Sequence, residues 1–138
     1  MNAHGAILDS FISLLSGISV NVYKLDVPED ESGNYVQVRL ESGTGMNNKR
    51  QIADEVIVIT DITTIFENNV DGSLCEGIDT EIFDRVLPTS TGHGLRTTAA
   101  MKIISVYRQS FTYIEENDGT KNYYRKVSRY SIKLFKTT

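Results

Sequence analysis

Ile7, Leu8, Phe11, Ile12, Leu14 and Leu15 recur at three- and four-residue spacing, which draws one apolar stripe down a helix, and Gly17 stands where a left-handed cap would close it. The pattern predicts a first helix from Ala3 to Ser16. Val20, Val22 and Tyr23 give a short strand, and the acidic, Pro- and Gly-bearing run Val27–Gly33 that follows reads as a loop. From Tyr35 to Glu41 the chain alternates, with Val36, Val38 and Leu40 on one face and Gln37, Arg39 and Glu41 on the other. Ser42 to Ala53 is rich in Gly and Asn, carries Lys49 and Arg50 at its far end, and reads as a loop long enough to have a job.

Glu55 to Ile65 is dense in Val and Ile with no polar alternation through Val56-Ile57-Val58-Ile59, as in a central strand covered on both faces. Asp71 and Ser73 are N-cap candidates for a second helix, with Leu74, Cys75, Ile78, Ile82, Val86 and Leu87 as its buried stripe. Asp79, Glu81 and Asp84 are assigned to its wet face, Gly77 weakens it, and Pro88 ends it. The last part of the chain alternates over Thr98–Ile114 and Tyr123–Phe135, joined by Glu116-Asn117-Asp118-Gly119, the signature of a long hairpin. In its second strand Arg125, Val127, Arg129, Ser131 and Lys133 project one way, and Tyr124, Lys126, Ser128, Tyr130, Ile132 and Leu134 the other.

The expected fold is therefore α+β: one small domain over residues 1–138, with an antiparallel or mixed sheet of about five strands, two helices on one face and a long C-terminal hairpin. With 138 residues and 40% hydrophobic content, the chain can bury roughly 70% of the surface its unfolded form exposes, enough for one core. No apolar run approaches the ~20 residues of a membrane span, and Met1–Gly5 lacks the basic start of a signal peptide, so the expectation is a chain that stays in the cytoplasm. Cys75, the sole cysteine, reads as a small buried hydrophobe.

Charge changes the picture. Residues 1–92 hold 15 acidic and 5 basic side chains, whereas residues 93–138 hold 3 acidic and 9 basic, so the net charge of −4 conceals a two-signed molecule. Such a chain has complementary surfaces to offer copies of itself. The row Arg125, Arg129 and Lys133 admits three readings: a solvated face, pairing with acids of a neighbouring subunit, or contact with DNA phosphates. Lys49 and Arg50 are solvated or serve a docking loop.

Catalytic and ligand motifs do not assemble. His4 and His93 are not at metal-ligand spacing from Cys75 or a carboxylate pair. Gly43–Arg50 lacks the Gly-Lys-Ser/Thr ending of a phosphate loop. Asn117-Asp118-Gly119 has no later Glu to complete a calcium loop. Ser90 and His93 lie in a Gly-rich stretch without an orienting acid. The expectation is a protein that is not an enzyme and takes no cofactor or metal.

The order of elements, the segment Val20-Asn21-Val22-Tyr23-Lys24-Leu25-Asp26-Val27-Pro28, the strands Tyr35-Val36-Gln37-Val38 and Glu55-Val56-Ile57-Val58-Ile59, and the closing run Tyr124–Leu134 together resemble the tail terminator or tail completion proteins of tailed phages, over about residues 6–135. The resemblance lies in element order and hydrophobic pattern. It implies a structural virion protein forming a homo-oligomeric ring, usually of six copies, that caps the head-proximal end of the tail tube. It further implies tail tube protein and head–tail connector or neck proteins as partners, with DNA passing through the lumen and touching it only transiently. The location implied is the virion tail or neck, after assembly in the host cytoplasm. No catalytic residue is implied; Arg125, Arg129 and Lys133 become candidates for the subunit interface or lumen, and Lys49 and Arg50 for docking. The Pro88–Leu95 connection and the long hairpin are fuller than the compact ending of that family, which leaves a head–tail connector or stopper on the portal side as the alternative. A small nucleic-acid-binding module is the alternative from another class.

Overall fold

The computed structural model describes residues 3–29, 31, 33–41, 53–66, 73–89, 92–96, 101–117 and 122–136. Along the chain these form α1 (Ala3–Leu14), β1 (Asn21–Lys24), β2 (Tyr35–Leu40), β3 (Ala53–Phe66), α2 (Ser73–Val86), β4 (Met101–Asn117) and β5 (Asn122–Lys136). The strands make one mixed sheet in the order β1-β2-β3-β5-β4. β1 runs parallel to β2, and every other pairing is antiparallel. The α+β class, the central place of β3 and the C-terminal hairpin all follow the sequence reading.

α1 ends at Leu14, short of Ser16, and Gly17 adopts φ +84°, the left-handed cap that glycine accepts without a Cβ clash. The carbonyls left over at that end are satisfied from elsewhere in the chain: Arg85 Nη1, in the last turn of α2, donates to the backbone oxygens of Leu14 and Ser16. Both helices lie on one side, α1 over β2 and β3 and α2 over β3 and β5. Between helices and sheet, Ile7, Phe11 and Leu15 meet Val36, Val38, Val58 and Tyr130, and Cys75, Ile78, Ile82 and Val86 complete the core. The Phe11 and Tyr130 rings pack with centroids 5.5 Å apart.

Two positions on α2 depart from the expected stripe. Leu74 is 50% exposed, and Asp79, assigned to the wet face, is 3% exposed. The buried face of the helix is turned toward Lys126 and Arg108 on the hairpin, and these cations hold Asp79 inside. In β4 the simple alternation expected from sequence is broken by register shifts between Ile103 and Ser105 and between Arg108 and Ser110. Each bulge reverses which side the following residues face.

β3 is buried on both sides, as its unbroken apolar run predicts, yet only one side has a helix layer. On the other, Ile59 sits directly between Arg39 of β2 and Arg129 of β5, whose guanidinium groups pair with Asp61 and Glu41.

Two glycines give opposite expectations. At Gly77, inside α2, an added Cβ meets nothing within 4 Å, so Gly77→Ala should stabilise the fold by about 1 kcal/mol. At Gly94 an added Cβ would stand 2.3 Å from the Arg85 carbonyl oxygen and 3.0 Å from Leu14, so Gly94→Ala should cost about 1–3 kcal/mol. Denaturant midpoints that shift in opposite directions, at unchanged slope, check both.

Candidate functional site

The helix-free face of the sheet is a lattice of charges built on Asp61. An acid in the middle of the β3 Val/Ile run must find partners, and Asp61, 4% exposed, finds three donor contacts from two arginines. Arg125 grips it with two nitrogens, Nε to Oδ1 at 3.1 Å and Nη2 to Oδ2 at 2.6 Å, and Arg39 Nη1 reaches Oδ2 at 3.3 Å. The hydrogen bonds to Asp61 hold the Arg125 guanidinium charged, against the desolvation that opposes it. Arg125 Nη1 also donates to Glu116 Oε1 at 2.6 Å, near the hairpin end. Further along β5, Arg129 pairs with Glu41, the Ser131 hydroxyl donates to Glu55 at 2.9 Å, and the Lys133 ammonium stands 5.6 Å from the Tyr107 ring centroid.

Of the residues singled out from sequence, Arg125, Arg129 and Lys133 do share this face, as the alternation requires. Arg125 and Arg129 are satisfied by acids of their own chain, and their charge needs no neighbour to balance it. Lys49 and Arg50 lie outside the described residues. His93 is described and partnerless in any ligand cluster; among the described residues no group of three His, Cys, Asp or Glu side chains gathers around a common point. Among the same residues no helix is long and apolar enough to cross a membrane.

A second network lies on the helix side. Asp79 Oδ2 accepts from Lys126 Nζ and Arg108 Nη2, both at 2.8 Å, and Ser128 Oγ lies 3.4 Å from Oδ1. Lys126, 3% exposed, also reaches Glu76 at 3.2 Å and sits over the Phe111 and Tyr113 rings at 4.7 and 5.0 Å. Burial works against the Lys126 ammonium, but its hydrogen bonds to Asp79, Tyr113 and Glu76 outweigh this and raise its pKa. Burial likewise opposes the Glu76 carboxylate, and the Tyr113 hydroxyl and Lys126 pull its pKa down. The network fastens α2 to the hairpin. Sequence reasoning missed Asp79; its place at four residues from Cys75 and three from Ile82, on the apolar stripe itself, was the available signal.

The sheet also leaves apolar surface uncovered. Ile104, Tyr107, Phe111 and Tyr113 of β4 are each 40–50% exposed, with Phe111 at 50% and Tyr113 at 44%. β4 is one of the two edge strands, 17 residues long, paired only with β5 among the described strands. Long, apolar edge strands are the kind of surface that other strands pair with.

The fold recurs in a chain of the virion of a native gene transfer agent particle, with a TM-score of 0.62 and 12% sequence identity, over 96% of this chain and 99% of that one. No family model matches the sequence, and no curated protein matches it. At that identity the likeness establishes a shared fold over essentially the whole of both chains.

Two expectations follow from these networks. Asp79→Ala takes the paired carboxylate from Arg108 and leaves the buried Lys126 only the half-exposed Glu76, and should cost about 3–5 kcal/mol by chemical denaturation. Asp9→Ala, which removes the exposed 2.5 Å pair with Lys24, should cost at most about 1 kcal/mol. Burial, then the nearby Glu76 and Asp79 charges, push the Cys75 thiol up to about 11 from its ordinary 9.0. The folded thiol keeps its proton after the unfolded one has lost it, so stability should decline as pH rises from 9 toward 11. At pH 8 the same shift leaves about 100-fold less thiolate folded than unfolded, and iodoacetamide labelling should slow by at least that factor.

Proposed function

We propose that this chain is a structural subunit of a phage-like virion, acting as a single tail-terminator-like unit over residues 1–138 that closes into a homo-oligomeric ring, of six copies in the resemblance noted above. The observation that carries the reading is the end-to-end fold match to a chain of a gene transfer agent virion, which spans 96% of this protein. The ring would cap the tail tube and join it to the neck, with DNA passing through the centre and no cofactor or chemical step involved. The long apolar edge of β4 supports it, because a subunit that works in an assembly must keep unsatisfied surface for its neighbours.

In this reading the charged face serves the lumen, one of the two places the sequence offered for Arg125, Arg129 and Lys133. Arg125 and Arg129, tied to Asp61, Glu116 and Glu41, hold the sheet rigid and present a nearly neutralised surface. Such a surface suits a passage for DNA, since free cations would hold phosphates in place while paired ones touch them only in passing. Lys49 and Arg50 serve as docking residues toward the tube or neck, so their reversal to Glu should leave rings intact and weaken attachment to tube ends.

Light scattering after size exclusion, with negative-stain images, tests the assembly. The expected result is a closed annulus of about six copies with a central hole. A strict monomer at high protein concentration, alone and with tail tubes, overturns the ring.

A further inference from the structure

Among the described strands the sheet ends in β1 on one side and β4 on the other, and the two are unlike in ways that fit each other. β1 parallels β2, and three antiparallel steps then lead through β3 and β5 to β4, so the two outer strands run in opposite directions. A second copy set beside the first, helices on the same side, therefore brings β1 and β4 together antiparallel.

The rows of the sheet fix which residues stand level. Lys24, Val38, Thr60, Ser128 and Phe111 form one row, and Asn21, Tyr35, Thr63, Arg125 and Ile114 another. The four residues of β1 thus lie at the height of residues 111–114 of β4. Both register breaks of β4 lie before this stretch, at 103/105 and 108/110, which leaves 110–116 as a regular length of the edge.

Side chains agree with the backbone. In the unbroken register Val22 of one copy falls beside Tyr113 of the next, on the helix side, where the tyrosine is 44% exposed. Lys24 falls beside Phe111, whose ring is half exposed.

We infer that neighbouring copies in the ring join by strand addition, β1 of one copy lying antiparallel to residues 111–114 of β4 of the next, so that the sheet continues from subunit to subunit. This rests on the ring reading above. A head-to-tail contact between unlike edges is the kind that closes a circle, whereas β4 against β4 would stop at a two-fold pair.

Cysteines placed in one row test the seam. Asn21→Cys protein is mixed with Ile114→Cys protein under mild oxidation and run on non-reducing gels, with light scattering on the same samples; Cys75 is fully buried and stays in place. Circular dichroism confirms folding, and Lys24→Cys with Phe111→Cys, from the neighbouring row, serves as a second pair. The mixture should give disulfide dimers and either single variant none, while the Asn21→Cys/Ile114→Cys double variant gives a ladder up to the closed ring. Self-linking of Ile114→Cys or Phe111→Cys alone, or assembly that stops at a dimer, overturns the seam. Rings that form without linkage in either row overturn the seam and leave the ring standing, whereas monomers throughout overturn both.

Discussion

Two buried carboxylates, one on each side of the sheet, set the terms for the rest of this structure. Asp61 in β3 and Asp79 in α2 are withdrawn from water, and each is stable there only because two cations from other elements converge on it. Arg39 comes from β2, Arg125 and Lys126 from β5, and Arg108 from β4. β5 contributes to both networks from its two faces through consecutive residues, Arg125 toward Asp61 and Lys126 toward Asp79. The hairpin is therefore clamped to the acidic part of the chain from above and below. Three of the nine cations of the C-terminal part, Arg108, Arg125 and Lys126, are committed to this internal clamp.

That outcome explains how an open sheet with helices on one side can carry a central strand buried on both. The second cover is made of paired arginine heads instead of a helix layer. Such a roof costs side-chain entropy and desolvation, and it returns rigidity and specificity of register more than raw stability. A one-residue slip of β5 would present Lys126 to Asp61's side and Arg125 to the core, and both networks would fail together.

Much of this was legible in the residues. The helix stripe ending at Gly17, the alternation of Tyr35–Glu41 and the apolar run of β3 all appear in the structure where the patterns put them, because each is a local consequence of period and side-chain type. The two faces of β5 were also readable, including the unexpected placement of Lys126 with Tyr130 and Ile132. What the sequence could not convey was pairing at a distance. Asp79 looked like a wet-face acid because its partners lie 29 and 47 residues away, and Arg125 and Arg129 looked available because Asp61 and Glu41 are 64 and 88 residues away. The bulges of β4 escaped for a related reason: they are visible only as a mismatch against β5.

Those bulges have a consequence for the protein before it meets any partner. A straight ribbon edge of 17 residues, rich in Ile, Tyr and Phe, is a seed for runaway stacking of sheets into fibres. Kinks at Ile104 and Gln109 break the flat run into short lengths, so molecules crowded together after synthesis cannot zip along the whole rim. Solubility and adhesiveness are thereby divided along a single strand, with the crooked stretch guarding and the straight stretch left sticky.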